Sequence, residues 1–237
     1  MAKNEEEWFD SIVEQSNQKA KVCVYIIFKK EETLLNFLEV KKSAFREFKQ
    51  EIYFATDNWM SAEGDTTEKV LLEYEKFEIL ISDKKSGRAG KVLLLTETFG
   101  RGVDFSSDPE VKKKGGAHVI QTFFSKDKKE QIQIQGRGAR KHYPGGYELV
   151  LNYKDFTPEN DPDWDVKSMY KNLECYKKLG TLRNEIGNSR VEKMMEIIRE
   201  KTGQSTKVLN FRKACMLANG NPDGMMVIFF LLGWLKI

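Results

Sequence analysis

Residues 91–105 read KVLLLTETFGRGVDF, and this stretch decides the fold class. KVLLLT is a short apolar run, which is typical of a strand buried on both faces of a sheet. Arg101 then stands between two glycines. Glycines let a backbone approach a ligand closely, and a guanidinium offers a planar fork of donors to phosphate oxygens. The stretch therefore predicts a buried strand followed by an anion-binding loop, outside the carboxyl ends of the strands.

A second glycine-flanked arginine element follows at residues 131–146, QIQIQGRGARKHYPGG. Arg137 and Arg140 lie three residues apart, near the end of a polar helix, so both are expected to point at one anion. The alternative for this pair is a helix-end ion pair or a solvated basic turn. For Arg101 and Asp104 the alternative is a salt bridge within the loop.

Strands and helices alternate along the first two thirds of the chain. Apolar runs predict strands at residues 21–28, 51–55, 78–82, 91–96, 117–124 and 146–152. Helical spacing of apolar residues predicts helices at residues 8–18, 33–48, 66–77 and 128–134, the third with an N-cap at Thr66 or Thr67. This alternation predicts an α/β domain with a mainly parallel sheet and flanking helices.

The character of the chain changes after Asn152. A proline- and acid-rich linker introduces a predicted small helical appendage over residues 156–220, which includes an amphipathic helix at 189–203. The α/β domain is therefore expected to span residues 1–155. The closing apolar run predicts that residues 221–237 begin a further element.

Charge and metal-ligand spacing exclude some functional classes. The chain has 237 residues with 39 basic and 36 acidic side chains, and a net charge of +3 does not favour nucleic-acid binding. Three widely spaced cysteines predict reduced thiols rather than a disulfide framework or a zinc site: Cys23, Cys175 and Cys215. His118 and His142 have no partner at ligand spacing, and His118 is expected to pack within a strand. No metal site is predicted.

Hydropathy gives no expectation of a transmembrane segment. The apolar run from Met225 to Leu235 is well short of the roughly 20 residues that a spanning helix needs. The amino terminus lacks the apolar region of a signal peptide. These features predict a cytoplasmic protein.

The two arginine elements resemble a known pair of motifs. TETFGRGVDF resembles motif V, and QIQGRGAR followed by GG resembles motif VI, of superfamily 2 helicase-like ATPases. Between them, the glycine pair opening GGAHVI and the helix leading into the second arginine element are most similar to SecA-like preprotein translocase motors. The resemblance covers roughly residues 8–152. It implies a RecA-like second motor domain, also called the helicase C-terminal domain.

The resemblance assigns roles to individual residues. The motif V positions, which in the family couple nucleotide state to domain movement, are Thr96, Gly100, Arg101, Gly102 and Asp104. Asp104 is expected near the nucleotide sugar. The motif VI positions are Gln133, Gly136, Arg137 and Arg140, and the two arginines are the expected catalytic residues facing the γ-phosphate. The sequence departs from the SecA pattern at Glu97, Val103, Gln135 and Ala139.

The resemblance also implies partners that this chain lacks. The phosphate-cradling GxxxxGK[ST] loop is absent from the sequence, so ATP with Mg²⁺ is expected only in a motor completed by a first RecA-like domain, in cis or in trans. A polypeptide is the implied substrate, and the implied location is cytoplasmic or peripheral to a membrane. Two alternatives stay open: a nucleic-acid helicase half-domain, and a non-enzymatic interaction module with a degenerate RecA-like fold.

Overall fold

The computed structural model describes residues 4–61, 68–100, 102–125, 127–138 and 144–152, with a few positions between 180 and 192. The chain divides into two compact units, and the first comprises Met1–Ser125 and Glu130–Val166. The second comprises Lys126–Lys129 and Lys167–Ile237. The predicted appendage at 156–220, its helix at 189–203 and the element at 221–237 lie outside the described residues, apart from those few positions.

Seven described strands form one sheet in the order β4-β3-β2-β5-β1-β6-β7. Their bounds are β1 Val24–Phe28, β2 Glu51–Ala55, β3 Trp59–Ser61, β4 Lys69–Leu71, β5 Lys91–Thr96, β6 His118–Gln121 and β7 Gly146–Leu149. Five neighbouring strands pair in parallel, in the order β2, β5, β1, β6 and β7. β3 and β4 are added at one edge by antiparallel pairing. β1 lies at the centre of the parallel part, where all five of its residues are buried.

Helices cover both faces of this sheet. Their bounds are α1 Glu5–Gln18, α2 Glu31–Glu47, α3 Tyr74–Leu80, α4 Pro109–Lys113 and α5 Lys128–Gln135, with a short 3₁₀ helix at Glu97–Gly100. α1 begins at an N-cap in which the Asn4 side chain accepts a hydrogen bond from the backbone N–H of Glu7. α4 begins in the same way at Asp108, with Pro109 in its first turn.

The alternation of side chains along the strands makes two cores. In β1, Tyr25 and Ile27 face the core that contains α3, the 3₁₀ helix and Ile134 of α5. Ile26 and Phe28 face the opposite core, which α1 and α2 close. A near-continuous apolar strand is therefore required at this position, because both of its faces lose their water.

The structure corrects the sequence-based prediction between residues 66 and 82. Lys69–Leu71 is strand β4, paired with β3, and the helix begins only at Tyr74. The predicted strand at 78–82 is wrong, because these residues continue and end that helix. Phe77, Leu80 and Ile81 are buried while Ile79 is exposed, which is the spacing of one helix face. Thr66 and Thr67 lie outside the described residues.

The remaining predicted strands and helices of the α/β domain are confirmed, with ends that shift by a few residues. Strand β3 was not predicted. Its three residues are too short for a hydrophobic pattern, and it exists because it pairs with β2 and β4. The mainly parallel sheet with flanking helices confirms the predicted α/β class. Among the described residues, no helix has both the length and the apolar character needed to cross a membrane.

Candidate functional site

The loop after β5 runs back along one face of the sheet, from the carboxyl end of β5 to the amino-terminal edge of the sheet. Phe105 stacks on Tyr25 near the start of β1, with ring centroids 4.9 Å apart. The backbone N–H of Asp108 donates to the carbonyl oxygen of Gly87 at 3.0 Å. Gly87 lies in the turn that leads into β5, which begins at Lys91. The loop residues from Phe105 onward therefore lie near the amino-terminal edge of the sheet, whereas the ligand site outside the carboxyl ends of the strands stays a prediction. About ten residues of loop suffice to span a six-residue strand.

Arg137 joins the two arginine elements. It follows α5 in a turn where its backbone N–H donates to the carbonyl oxygen of Ile134 at 3.0 Å. Its guanidinium Nε donates to the carbonyl oxygen of Gly100 at 3.0 Å, and a second guanidinium nitrogen donates to the carbonyl oxygen of Val103. The guanidinium carbon also lies 5.8 Å from the centre of the Phe105 ring. One half-buried side chain thus fixes the shape of the motif V loop.

Gly100 is required by packing. A Cβ atom at this position would lie 2.9 Å from Cγ1 of Ile134, which is fully buried on α5. The absence of a side chain lets α5 approach the 3₁₀ helix closely. This approach places the carbonyl oxygen of Gly100 within reach of Arg137.

Arg137 also lines a cleft of about 170 Å³ at the amino-terminal edge of the sheet. Lys112 of α4 supplies a second cation, Asp104 supplies a carboxylate, and Ser106 and Ser107 supply hydroxyl groups. Two cationic side chains beside hydroxyl groups suit a phosphate, because its oxygens accept hydrogen bonds from both kinds of donor.

Gly116 and Gly138 line this cleft and lie so close to neighbouring backbone that there is no room for a Cβ atom at either position. A Cβ atom at Gly138 would lie 2.6 Å from the carbonyl oxygen of Gly146. At Gly116, which has a φ of +80°, it would lie 1.7 Å from the carbonyl oxygen of Pro144. The turn after α5 therefore lies directly against the starts of β6 and β7.

The structure brings together only part of the predicted motif set. Gly100, Asp104 and Arg137 lie around the cleft or its supporting loop. Thr96 ends β5 with a buried hydroxyl that has no hydrogen-bond partner among the described residues. Gly102 adopts a φ of +72°, a left-handed conformation that favours glycine.

The motif VI residues other than Arg137 are placed less centrally. Gln133 is exposed on α5, and Gly136 is exposed in the turn that follows it. Arg101 and Arg140 lie outside the described residues.

Sequence reasoning missed two residues that shape the site: Phe105 and Ile134. Phe105 follows Asp104 directly, so its place beside the motif was a usable signal. Ile134 is the last apolar residue of a polar helix, and its full burial shows which face of α5 packs. Nothing in the local sequence distinguishes Lys112 from its neighbouring lysines, because its position depends on how α4 is placed.

His118 begins β6 at the same edge of the sheet. It is 5% exposed, which confirms the predicted packed histidine, and its Nε2 lies 3.6 Å from a carboxylate oxygen of Glu148. Burial lowers the pKa of His118, Glu148 opposes that shift, and the nearby Lys19 adds to it. His118 is therefore an uncharged side chain at neutral pH.

Comparison with known proteins supports the SecA resemblance. No family model matches the chain. Over 71 residues, 30% of the chain, it is 37% identical to the protein translocase subunit SecA 2 of Listeria monocytogenes. Over 101 residues, 43% of the chain, it is 30% identical to SecA 2 of Bacillus thuringiensis subsp. konkukian. These matches span only 9% and 13% of the two relatives.

Two solved structures have a limited overall likeness to this chain. Domain 2 of the Mss116p DEAD-box helicase, bound to an RNA duplex, has a TM-score of 0.46 and 13% identity, covering 91% of this chain and 82% of that one. The Escherichia coli DEAD-box protein SrmB, bound to the regulator RraA, has a TM-score of 0.45 and 17% identity, covering 65% and 75%. The SecA 2 matches confirm the predicted resemblance to SecA-like motors over part of the chain.

Proposed function

We propose that this chain is the second nucleotide-cleft domain of a SecA-like, ATP-dependent motor, because it is similar to part of SecA 2 and its strands form a mainly parallel sheet. In this proposal a first RecA-like domain, in cis or in trans, holds ATP with Mg²⁺ on its phosphate-cradling loop. The present chain supplies the opposite wall of the cleft. Arg137 and Arg140 face the γ-phosphate, and a polypeptide is the substrate that is moved.

The contact of Arg137 with the carbonyl oxygens of Gly100 and Val103 carries this proposal. A guanidinium held by two backbone carbonyls loses little additional freedom when it meets a phosphate. The same bonds connect phosphate contact to the shape of the motif V loop. A change at the nucleotide is thereby passed to a segment that spans the sheet from one edge to the other.

Arginine placed on the developing charge of a transferred phosphoryl group contributes about 10³–10⁵-fold to its hydrolysis. ATP supplies the phosphoanhydride bond that is broken. This chain supplies positive charge at the cleft from Arg137 and Lys112. As proposed from the resemblance, Asp104 accepts hydrogen bonds from the sugar hydroxyls. Gln133 and Gly136 belong to the same element, as proposed from the resemblance.

The test is to mix the full 237-residue chain with the first RecA-like domain of a SecA 2 relative and to measure MgATP hydrolysis. That first domain carries the phosphate-cradling GxxxxGK[ST] loop, also called Walker A. We expect turnover above that of the first domain alone. Arg140→Ala is expected to reduce it by about 10³-fold or more. Arg46→Ala, an exposed arginine on α2 away from the cleft, is the matched control and should leave turnover unchanged.

The same assay separates the alternatives. Stimulation of turnover by an unfolded polypeptide supports the motor, whereas stimulation by RNA or DNA alone would favour the helicase half-domain. No turnover at saturating concentrations of both domains would contradict the proposal and favour a non-enzymatic interaction module.

A further inference from the structure

A buried hydrogen-bond network lies at the carboxyl end of β6, between the sheet and α5. Its centre is Gln121, the last residue of β6, which is fully buried. The side-chain Nε2 of Gln121 donates to the carbonyl oxygen of Phe123 at 2.7 Å and to the hydroxyl oxygen of Ser125 at 2.9 Å. Its Oε1 accepts a hydrogen bond from the hydroxyl of Tyr147 in β7 at 2.9 Å. Both N–H groups and the oxygen of this amide therefore have partners, which is the condition under which a buried polar group makes its surroundings rigid.

The network reaches α5 through the same tyrosine. The Nε2 atom of Gln131 donates to the hydroxyl oxygen of Tyr147 at 3.4 Å. Gln131 and Ile134 lie three residues apart in α5, so they share one face of the helix. Of the eight residues of α5, all of which the structure describes, only Ile134 is buried. Because a single buried apolar side chain fixes the rotation of a helix weakly, the hydrogen bond to Tyr147 supplies a second point of attachment.

β7 contacts the chain on both sides of Arg137. Tyr147 bonds Gln131, which lies before the arginine in sequence. Gly146, the residue before Tyr147, contacts the turn that contains Gly138, where a Cβ atom would lie 2.6 Å from the carbonyl oxygen of Gly146. Two adjacent residues of β7 therefore contact the helix that leads to Arg137 and the residue that follows it.

We propose that Tyr147 and Gln121 are positioning residues, which fix the rotation of α5 and so set the direction of the Arg137 guanidinium. This proposal rests on the proposed function, because the phosphate of ATP is the group that the arginine must meet. Tyr147 acts through α5, and Gln121 acts by holding the hydroxyl of Tyr147, so neither side chain touches the nucleotide. Since a misplacement of about 1 Å can slow a reaction by about 10²-fold, one hydrogen bond far from the reacting atoms has a measurable effect.

The first test compares two tyrosine-to-phenylalanine changes in the ATP hydrolysis assay with both domains. Tyr147→Phe removes the hydroxyl that joins Gln121 to Gln131. Tyr53→Phe is the matched control: it removes the hydroxyl of another tyrosine of the same core, which donates to Glu51 at 2.6 Å on β2, two strands away from β6. We expect Tyr147→Phe to lower kcat by about 10-fold with an unchanged KM for MgATP, and Tyr53→Phe to change neither. Urea unfolding establishes that both variants are folded under the assay conditions.

Nuclear magnetic resonance of the chain alone gives a second readout, which needs no ATP turnover. The Nε–H group of Arg137 donates to the carbonyl oxygen of Gly100 and gives a side-chain signal, which Arg137→Lys removes and thereby identifies. We expect this signal to shift or broaden in Tyr147→Phe and to keep its position in Tyr53→Phe.

A second pair of variants changes α5 itself. Gln131→Ala removes the α5 partner of Tyr147 while the bond between Tyr147 and Gln121 remains, and it should move the Arg137 signal. Ile132→Ala removes an exposed side chain from the same helix and should leave the signal in place.

The outcomes separate this inference from the motor function. If kcat and the Arg137 signal respond alike to Tyr147→Phe and Tyr53→Phe, the positioning role is overturned and the network contributes to stability alone. Turnover by the unsubstituted chain, with neither readout altered by Tyr147→Phe, would leave the motor intact and exclude the positioning role. Absence of turnover in the unsubstituted chain would contradict the motor function, and the Arg137 signal would then decide by itself whether the network orients the arginine.

Discussion

The Nε atom of Arg137 donates a hydrogen bond to the carbonyl oxygen of Gly100 at 3.0 Å, across 37 residues of sequence. This bond connects an arginine that the sequence marks as a phosphate ligand to the backbone of the other arginine element. Arg137 therefore has a structural role in the described fold as well as its proposed catalytic role. Experiments on this residue must separate the two.

Arg137→Ala is expected to lower stability as well as activity. Two charge-assisted hydrogen bonds to backbone carbonyls are lost from a half-buried side chain, and we expect a decrease of about 1–2 kcal/mol in the free energy of unfolding. Urea unfolding of the chain alone measures this loss. Arg137→Lys should recover only part of it, because an ammonium lacks the planar fork that reaches both carbonyls. Unchanged stability in Arg137→Ala would show that these two bonds do not hold the loop in solution.

Gly100→Ala is expected to destabilise the chain by about 1–3 kcal/mol, the usual range for an overpacked core. Its Cβ atom would lie 2.9 Å from Cγ1 and 3.3 Å from Cδ1 of Ile134. In the double variant Gly100→Ala/Ile134→Ala, which removes both Cγ1 and Cδ1, the cost should be less than the sum of the two single changes. A double-mutant cycle by urea unfolding measures this coupling. Strict additivity would indicate that α5 moves away to make room.

Substitution by alanine should lower the stability of the fold at Gly138 but not at Gly136. At Gly138 a Cβ atom would lie 2.6 Å from the carbonyl oxygen of Gly146 and 3.1 Å from that of Ala117, so Gly138→Ala should destabilise the fold. At Gly136 the closest atoms would lie at 3.4 Å, an ordinary contact, so Gly136→Ala should fold normally. Thermal unfolding of both variants checks the contrast. If Gly136→Ala nevertheless loses ATP turnover in the two-domain assay, its glycine serves ligand approach.

The pH dependence of stability should carry a signature of His118. Burial lowers its pKa in the folded state, so between that pKa and the unfolded value of about 6.5 the unfolded chain binds more protons. Stability therefore rises with pH through this window and is lost on acidification below about pH 6.5. His118→Asn should flatten this part of the profile. Urea unfolding at several pH values between about 5 and 7 measures the slope, and an unchanged slope in the variant would rule out His118 as its source.

The α/β class, the order of most elements and the presence of two glycine-flanked arginines followed from the sequence alone. The reason is local. A strand buried on both faces must be apolar along its whole length, as β1 and β5 are, and an amphipathic helix must repeat its apolar face every turn, as α1 and α2 do. These patterns depend only on which side chains lose water.

Other features depend on partners that are distant in sequence, and only the tertiary structure decided them. Val70 fits a helical face with Tyr74 and Phe77, yet it lies in a strand because β3 offers backbone hydrogen bonds to β4. The loop after β5 was expected at the carboxyl ends of the strands, yet Phe105 packs on Tyr25 near the opposite edge. Hydrogen-bond pairing and aromatic packing between remote segments outweighed the local pattern in both places. The cleft that Arg137 lines exists for the same reason, since Asp104, Lys112 and Arg137 come from separate segments and meet only when the sheet is assembled.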